Sequence, residues 1–173
     1  MKKAILCALV LAVGVGGDLS LADGGPTIRM SESGEAIELT YQVDGKVLQH
    51  TIPLYRAGAV RYFSAGVGLE ERAAHYPPFP LKLVFTAGGK PFLAGVSVTI
   101  QPVKGGAAVT IPEEQVAGPW LFVDLAPGQY DVTAAYGGSQ QVLMGLTVEA
   151  RKQKTVYVRW KEDRGLGRTL PGE

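Results

Sequence analysis

The chain has 173 residues, 17 basic against 16 acidic, a formal net charge of +1 and a single cysteine. So even a balance lacks the dense basic footprint by which proteins hold nucleic acid. The one dense cationic run, Arg151-Lys152-Gln153-Lys154, lies between two predicted strands, where a solvated turn accounts for it better than contact with an anionic surface.

Residues 1–22 read as a signal peptide. Lys2 and Lys3 form a positive n-region, residues 4–15 form an apolar run too short to span a bilayer, and Ser20-Leu21-Ala22 places small residues at a peptidase site. A retained membrane anchor is the alternative, and the weakly apolar Gly14-Val15-Gly16-Gly17-Asp18 stretch argues against it. Cleavage before Asp23 predicts a periplasmic or secreted protein with no stable membrane span after processing. It also removes Cys7, and with it disulfides, thiol catalysis and thiolate metal sites. The processed chain must then rest on its apolar core, for which about 150 residues suffice.

Beyond the leader the apolar residues alternate in runs bounded by Gly, Pro and Asp, the pattern of antiparallel sheets. Residues 35–43 and 46–53 flank Asp44-Gly45, a two-residue loop suited to a type I′ hairpin because both positions need positive φ. Counting back from it sets Tyr41 opposite Leu48, Leu39 opposite His50 and Ile37 opposite Ile52, with His50 a packed residue on the apolar face. Residues 59–63 predict a third strand. Gly66-Val67-Gly68 then turns into a short helical segment, and it lacks the third glycine of a dinucleotide fingerprint. Pro77-Pro78-Phe79-Pro80 ends any helix and marks the best internal boundary.

Seven strands are expected after that boundary, over residues 81–87, 96–101, 107–111, 120–125, 130–136, 141–149 and 155–160. Their inward sets include Leu81, Leu83 and Phe85; Val96, Val98 and Ile100; and Val142, Met144, Leu146 and Val148. The predicted fold class is all-β, a seven-stranded antiparallel immunoglobulin-like or prealbumin-like sandwich with an N-terminal β-hairpin extension. The chain divides into a leader (1–22), a hairpin region with a short helical turn (23–76), the sandwich (77–161) and a flexible tail (162–173). Ala126-Pro127-Gly128-Gln129 reads as a type II turn with Gly128 at positive φ.

The segments "FLAGVSVTI", "GPWLFVDLAPGQYDVTAAYGG" and "KTVYVRW" resemble the carboxypeptidase regulatory-like domain, a prealbumin-like or transthyretin-like sandwich. "YFSAGVGLEERA" followed by "LKLVF" resembles small exported proteobacterial proteins that carry this domain alone. The resemblance covers roughly residues 62–160. It implies the sandwich and an accessory role without chemistry. The histidine-rich centre and C-terminal Tyr-Arg-Gly-Ser of transthyretin-like hydrolases are missing, so no active-site residue is carried over.

Candidates for chemistry are few. Glu71 and His75 are spaced to share a helix face, but two ligands make no tight metal site. A Ser64–His50–Asp124 set lacks a nucleophile elbow. The expectation is therefore a protein that is not an enzyme and takes no cofactor or metal. Its predicted role is binding or bridging an envelope protein or glycan, without nucleic acid. A structural subunit of an envelope or surface assembly is the alternative, and a hydrolase the less favoured reading. Among the aromatics near loops (Tyr62, Phe63, Tyr76, Phe79, Phe92 and Trp120), Tyr76 and Phe79 beside the prolines are expected to be exposed and to bind the partner.

Overall fold

The computed structural model describes residues 25–88 and 93–161. The leader with Cys7 and the junction before Asp23, Phe92, and the tail 162–173 lie outside the described residues. Within them the alternation becomes twelve strands in three sheets. The first sheet holds β1 (Thr27–Met30), β2 (Ala36–Val43) and β3 (Lys46–Pro53) in the order β1-β2-β3. The β2–β3 register matches the expectation, pairing Tyr41 with Leu48, Leu39 with His50 and Ile37 with Ile52. Asp44 and Gly45 both take positive φ, 50° and 73°, as a type I′ loop demands.

The chain continues through β4 (Tyr55–Ala57), β5 (Val60–Ala65), a short helix α1 (Leu69–Ala73) and β6 (Leu81–Ala87). Then follow β7 (Ser97–Pro102), β8 (Val109–Ile111), a 3-10 turn (Glu113–Gln115) and β9 (Trp120–Val123). The last three strands are β10 (Gly128–Tyr136), β11 (Ser139–Val148) and β12 (Lys154–Trp160). A four-stranded sheet has the order β11-β10-β7-β8 and a five-stranded sheet the order β12-β6-β9-β5-β4.

These two sheets pack face to face. Leu81, Leu83, Phe85, Leu121, Val123 and Val158 of the larger sheet share one core with Val98, Ile100, Val132 and Val148 of the smaller. The opposite face of the larger sheet is apolar as well. Phe63, Ala65 and Phe122 form a second core there with Ile37 and Ile52 of the first sheet and with Phe79.

The all-β class stands, and four details of the expectation change. The first is the architecture, since the β1–β3 sheet covers the second face of the five-stranded sheet instead of extending a seven-stranded sandwich. Pairing of β5 with β9 carries that sheet across the Pro77–Pro80 segment. The second is strand direction. β12 runs parallel to β6, because it arrives by a crossover from the smaller sheet and no hairpin forces it antiparallel.

The third is the inward set of β11. Tyr130 pairs with Leu146 but Val132 pairs with Leu143, so β11 carries one residue more than β10 between these pairs. This bulge sits at Gly145, φ 63°, whose N–H donates to Asp131 Oδ1 at 2.7 Å. An extra residue reverses the inside-outside parity. Leu146 and Val148 are buried, whereas Val142 is 55% and Met144 74% exposed. The fourth is the Pro127-Gly128 turn. Gly128 is outside the left-handed region and already pairs with Val148 as the first residue of β10. The turn is pinned instead by Tyr130, whose hydroxyl donates to Ala126 O at 2.8 Å.

Space against backbone requires glycine at position 118. A Cβ on Gly118 would lie 2.4 Å from Ala65 O and 2.7 Å from Ala65 C, and Gly118 also exchanges hydrogen bonds with the Ser64 hydroxyl. Gly118→Ala must push backbone apart and is expected to cost about 1–3 kcal/mol, as core overpacking does. A Cβ on Gly128 meets only ordinary contacts with the Tyr130 ring, 3.4 Å away. Gly128→Ala should therefore leave the midpoint of denaturant unfolding within about 0.5 kcal/mol of wild type, while Gly118→Ala lowers it.

Candidate functional site

The residues singled out from sequence do not meet. Ser64 is buried and bonded to Gly118. Asp124 holds Arg61, with Arg61 Nη2 2.7 Å from Asp124 Oδ2. His50 shares the apolar face with Leu39 and Ile52, but its side chain is 52% exposed and its Nε2 lies 3.5 Å from Glu71 Oε1. The expected packed position is thus a rim position, with the imidazole beside the Glu71 carboxylate of α1. Glu71 and His75 do not share a helix face, since the helix ends at Ala73 and Ala74 is already extended. The Glu71 carboxylate instead accepts the N–H groups of Gly66 and Val67 at 2.6 and 3.0 Å, fixing the turn that precedes its own helix. Among the described residues no group of three or more His, Cys, Asp or Glu could hold a metal.

Phe79 corrects the exposure expectation. It is 5% exposed and packs edge-on against Phe63, ring centroids 5.1 Å apart. Its N–H donates to Pro77 O at 2.8 Å, closing a tight turn around Pro78, and its ring joins the core of Phe63 and Phe122. Tyr76 is half-buried, with its ring against Phe63 and Phe122 at 5.4 and 5.1 Å. Its hydroxyl is buried with no hydrogen-bond partner among the described residues. Burial first, and then the Glu71 charge, push its pKa well above the usual tyrosine value.

Tyr76 does line a surface hollow of about 250 Å³, together with Arg72, Ala74, His75, Lys82, Trp120, Phe122 and Gln153. Three chain segments build it. The end of α1 and the stretch after it contribute Arg72, Ala74, His75 and Tyr76, the β6–β9 pair contributes Lys82, Trp120 and Phe122, and the loop before β12 contributes Gln153. Gln153 Nε2 donates to Phe79 O at 2.9 Å, tying that loop to the proline segment. Arg72 Nη1 donates to Gly66 O at 3.3 Å.

Lys82 is the distinctive group. Its Nζ stands 3.5 Å from the Trp120 ring centroid and 5.1 Å from that of Phe122, a cation held over two ring faces. No ion pair of Lys82 occurs among the described residues. Burial lowers its pKa, the direction expected when an ammonium loses water without gaining a carboxylate. The cationic side chains that line the hollow, Lys82 and Arg72, can attract an anion, with the Glu71 carboxylate set back behind Tyr76. The hollow holds no convergent acid–base pair.

Sequence reasoning singled out Tyr76 as exposed, where the structure has it half-buried, and passed over Lys82 and Gln153. Alternation in Leu81-Lys82-Leu83-Val84-Phe85 turns Lys82 outward, which alone reads as a solvated lysine. Its register pairing with Phe122 brings it beside the aromatics. No family model matches the chain, and neither a curated protein nor a solved structure is similar to it.

Because the folded-state pKa of Lys82 is lowered, the folded protein releases that proton before the unfolded chain does. Stability therefore rises as pH climbs through the folded value toward the ordinary lysine value of 10.5. Denaturant titrations from pH 7 to 10.5 should show wild type gaining stability relative to Lys82→Met over that window. Parallel profiles for the two proteins would contradict the assigned environment.

Proposed function

We propose that this is an exported, non-catalytic β-sandwich that binds or bridges an envelope component, a glycan or a protein, in the periplasm or outside the cell. The observation that carries the reading is the Lys82 hollow, where an ammonium with no ion pair among the described residues, two aromatic rings of the sheet and a loop amide converge. Sites built on strands hold their geometry better than loop sites, which suits recognition. The resemblance to the carboxypeptidase regulatory-like domain supports an accessory role, and the leader-like residues 1–22 support export. No helix among the described residues is long and apolar enough to cross a membrane.

A structural subunit is the second reading, favoured by β11. It stands at the end of its sheet and presents exposed Val142 and Met144, so a neighbouring molecule could add a strand there. Sedimentation that yields a concentration-dependent assembly, abolished by Met144→Lys, would favour it over the binding module.

Intact-mass measurement of the exported protein should give a chain beginning at Asp23. Immobilised on a matrix, that chain should retain an envelope glycan or protein. Lys82→Ala should reduce retention by about ten-fold, equal to roughly 1.4 kcal/mol, and His50→Ala should leave it unchanged. Reproducible turnover of an ester, peptide or glycoside, lost on a single substitution with the fold intact, would replace the binding reading with an enzymatic one.

A further inference from the structure

The face of the five-stranded sheet that carries the Lys82 hollow is covered unequally. One row of residues runs across it from Thr155 through Lys82 and Phe122 to Phe63. Phe122 and Phe63 lie beneath the β1–β3 sheet and Phe79, while Lys82 is half-buried and Thr155 exposed. The next row runs from Tyr157 through Val84 and Trp120 to Ala65, and Tyr157 is 55% exposed. Val84 and Thr86 of β6 are buried, so the exposed part of this face is a strip along β12, Thr155, Tyr157 and Arg159, beside the hollow.

A second cation lies over an aromatic ring on that strip. Arg159 Cζ is 5.5 Å from the Tyr157 ring centroid, on the same outward side of β12 as Thr155. Tyr157 pairs with Val84, two residues along β6 from Lys82, a diagonal of about 8 Å from the strand spacing and rise. Arg159 lies two residues further along β12. Two cation–aromatic pairs therefore follow one another along the strip, with Gln153, Thr155 and His75 beside them as hydrogen-bonding groups.

We propose that the hollow and this strip bind an acidic oligosaccharide, with the carboxylate of one sugar ring at Lys82 and that of a later ring near Arg159. The inference rests on the reading of the protein as a binding module and narrows its ligand. A carboxylate supplies the acceptor that the Lys82 ammonium lacks. Because the ammonium is already held over Trp120, little side-chain freedom is lost on binding. A hollow of about 250 Å³ is smaller than the ~300–1,000 Å³ of pockets that enclose drug-sized ligands. It suits one ring, with the rest of a linear chain running out along β12. Hydroxyl groups match Gln153, Thr155 and His75, and the apolar face of a sugar ring matches the exposed Tyr157 ring. A flat bilayer could reach Arg159 but not the recessed Lys82, and a polyacidic peptide would leave the Tyr157 ring without an apolar partner.

Calorimetric titration of the full exported chain with a galacturonic acid tetramer, and with the same tetramer reduced to neutral galactose units, tests this directly. Polyglutamate and vesicles containing phosphatidylglycerol are titrated alongside. The acidic tetramer should bind, and its neutral counterpart should bind at least about ten-fold more weakly. Lys82→Gln should lower affinity for the acidic tetramer by about ten-fold or more, Lys82→Arg should retain most of it, and Arg159→Gln should lower it by a smaller factor. Lys104→Gln, in the β7–β8 loop, should change nothing. Unfolding curves of each variant separate loss of binding from loss of fold. Equal affinity for both tetramers would overturn the inference, as would polyglutamate or vesicles binding where the acidic tetramer does not. Retention of a neutral envelope glycan or a protein, without binding of the acidic tetramer, would overturn it and leave the binding module standing. A chain that binds no envelope component at all would remove both.

Discussion

Strand β9, Trp120-Leu121-Phe122-Val123, faces a core on each side. Leu121 and Val123 belong to the core shared with the four-stranded sheet, and Phe122 to the core under the β1–β3 sheet. A sheet that is apolar on both faces is stable in water only when both are covered. The rest of the molecule answers that demand. β7, β8, β10 and β11 cover one face. The N-terminal hairpin and Phe79 cover the other, where Phe63 stacks on Phe122 with centroids 4.5 Å apart and planes 6° from parallel.

The second covering is smaller than what it covers, and the difference creates the site. Three strands and a proline segment close over β5 and β9 but stop before β12. At that margin an alternating strand must place something outward that tolerates half-burial. A lysine does so by laying its alkyl stem on the rings and its ammonium over their faces. The cost is lost hydration without a counter-charge, and an anionic ligand is what would offset it.

Rigid features surround this margin. Glu71 ties down the Gly66–Val67 turn, Gln153 ties the β11–β12 crossover to Phe79, and Ser64 and Gly118 lock β5 to the segment entering β9. These bonds tie down the backbone around the hollow, and a ligand bound there would face a smaller ordering cost than on a free loop. On the other sheet the Gly145 bulge turns Val142 and Met144 outward, so the sandwich carries an apolar edge well away from the elements that build the hollow.

Local information in the sequence determined much of this. Period-two alternation placed every strand from β6 to β12 to within two residues, and Asp44-Gly45 set the β2–β3 register residue by residue, because loop length and positive φ leave one pairing. Tertiary structure decided what alternation cannot encode. An inserted residue in β11 is invisible until its partner strand is known, so Val142 and Met144 read as core. Prolines around Phe79 read as a surface loop, yet the open face of β5 and β9 drew the ring inward. Lys82 drew no notice in the sequence because its character depends on Phe122 and Trp120, some forty residues away and adjacent only through strand pairing. Inside and outside along one strand are local properties, whereas the coverage of a sheet face is set by long-range packing, and the candidate site exists where that coverage ends.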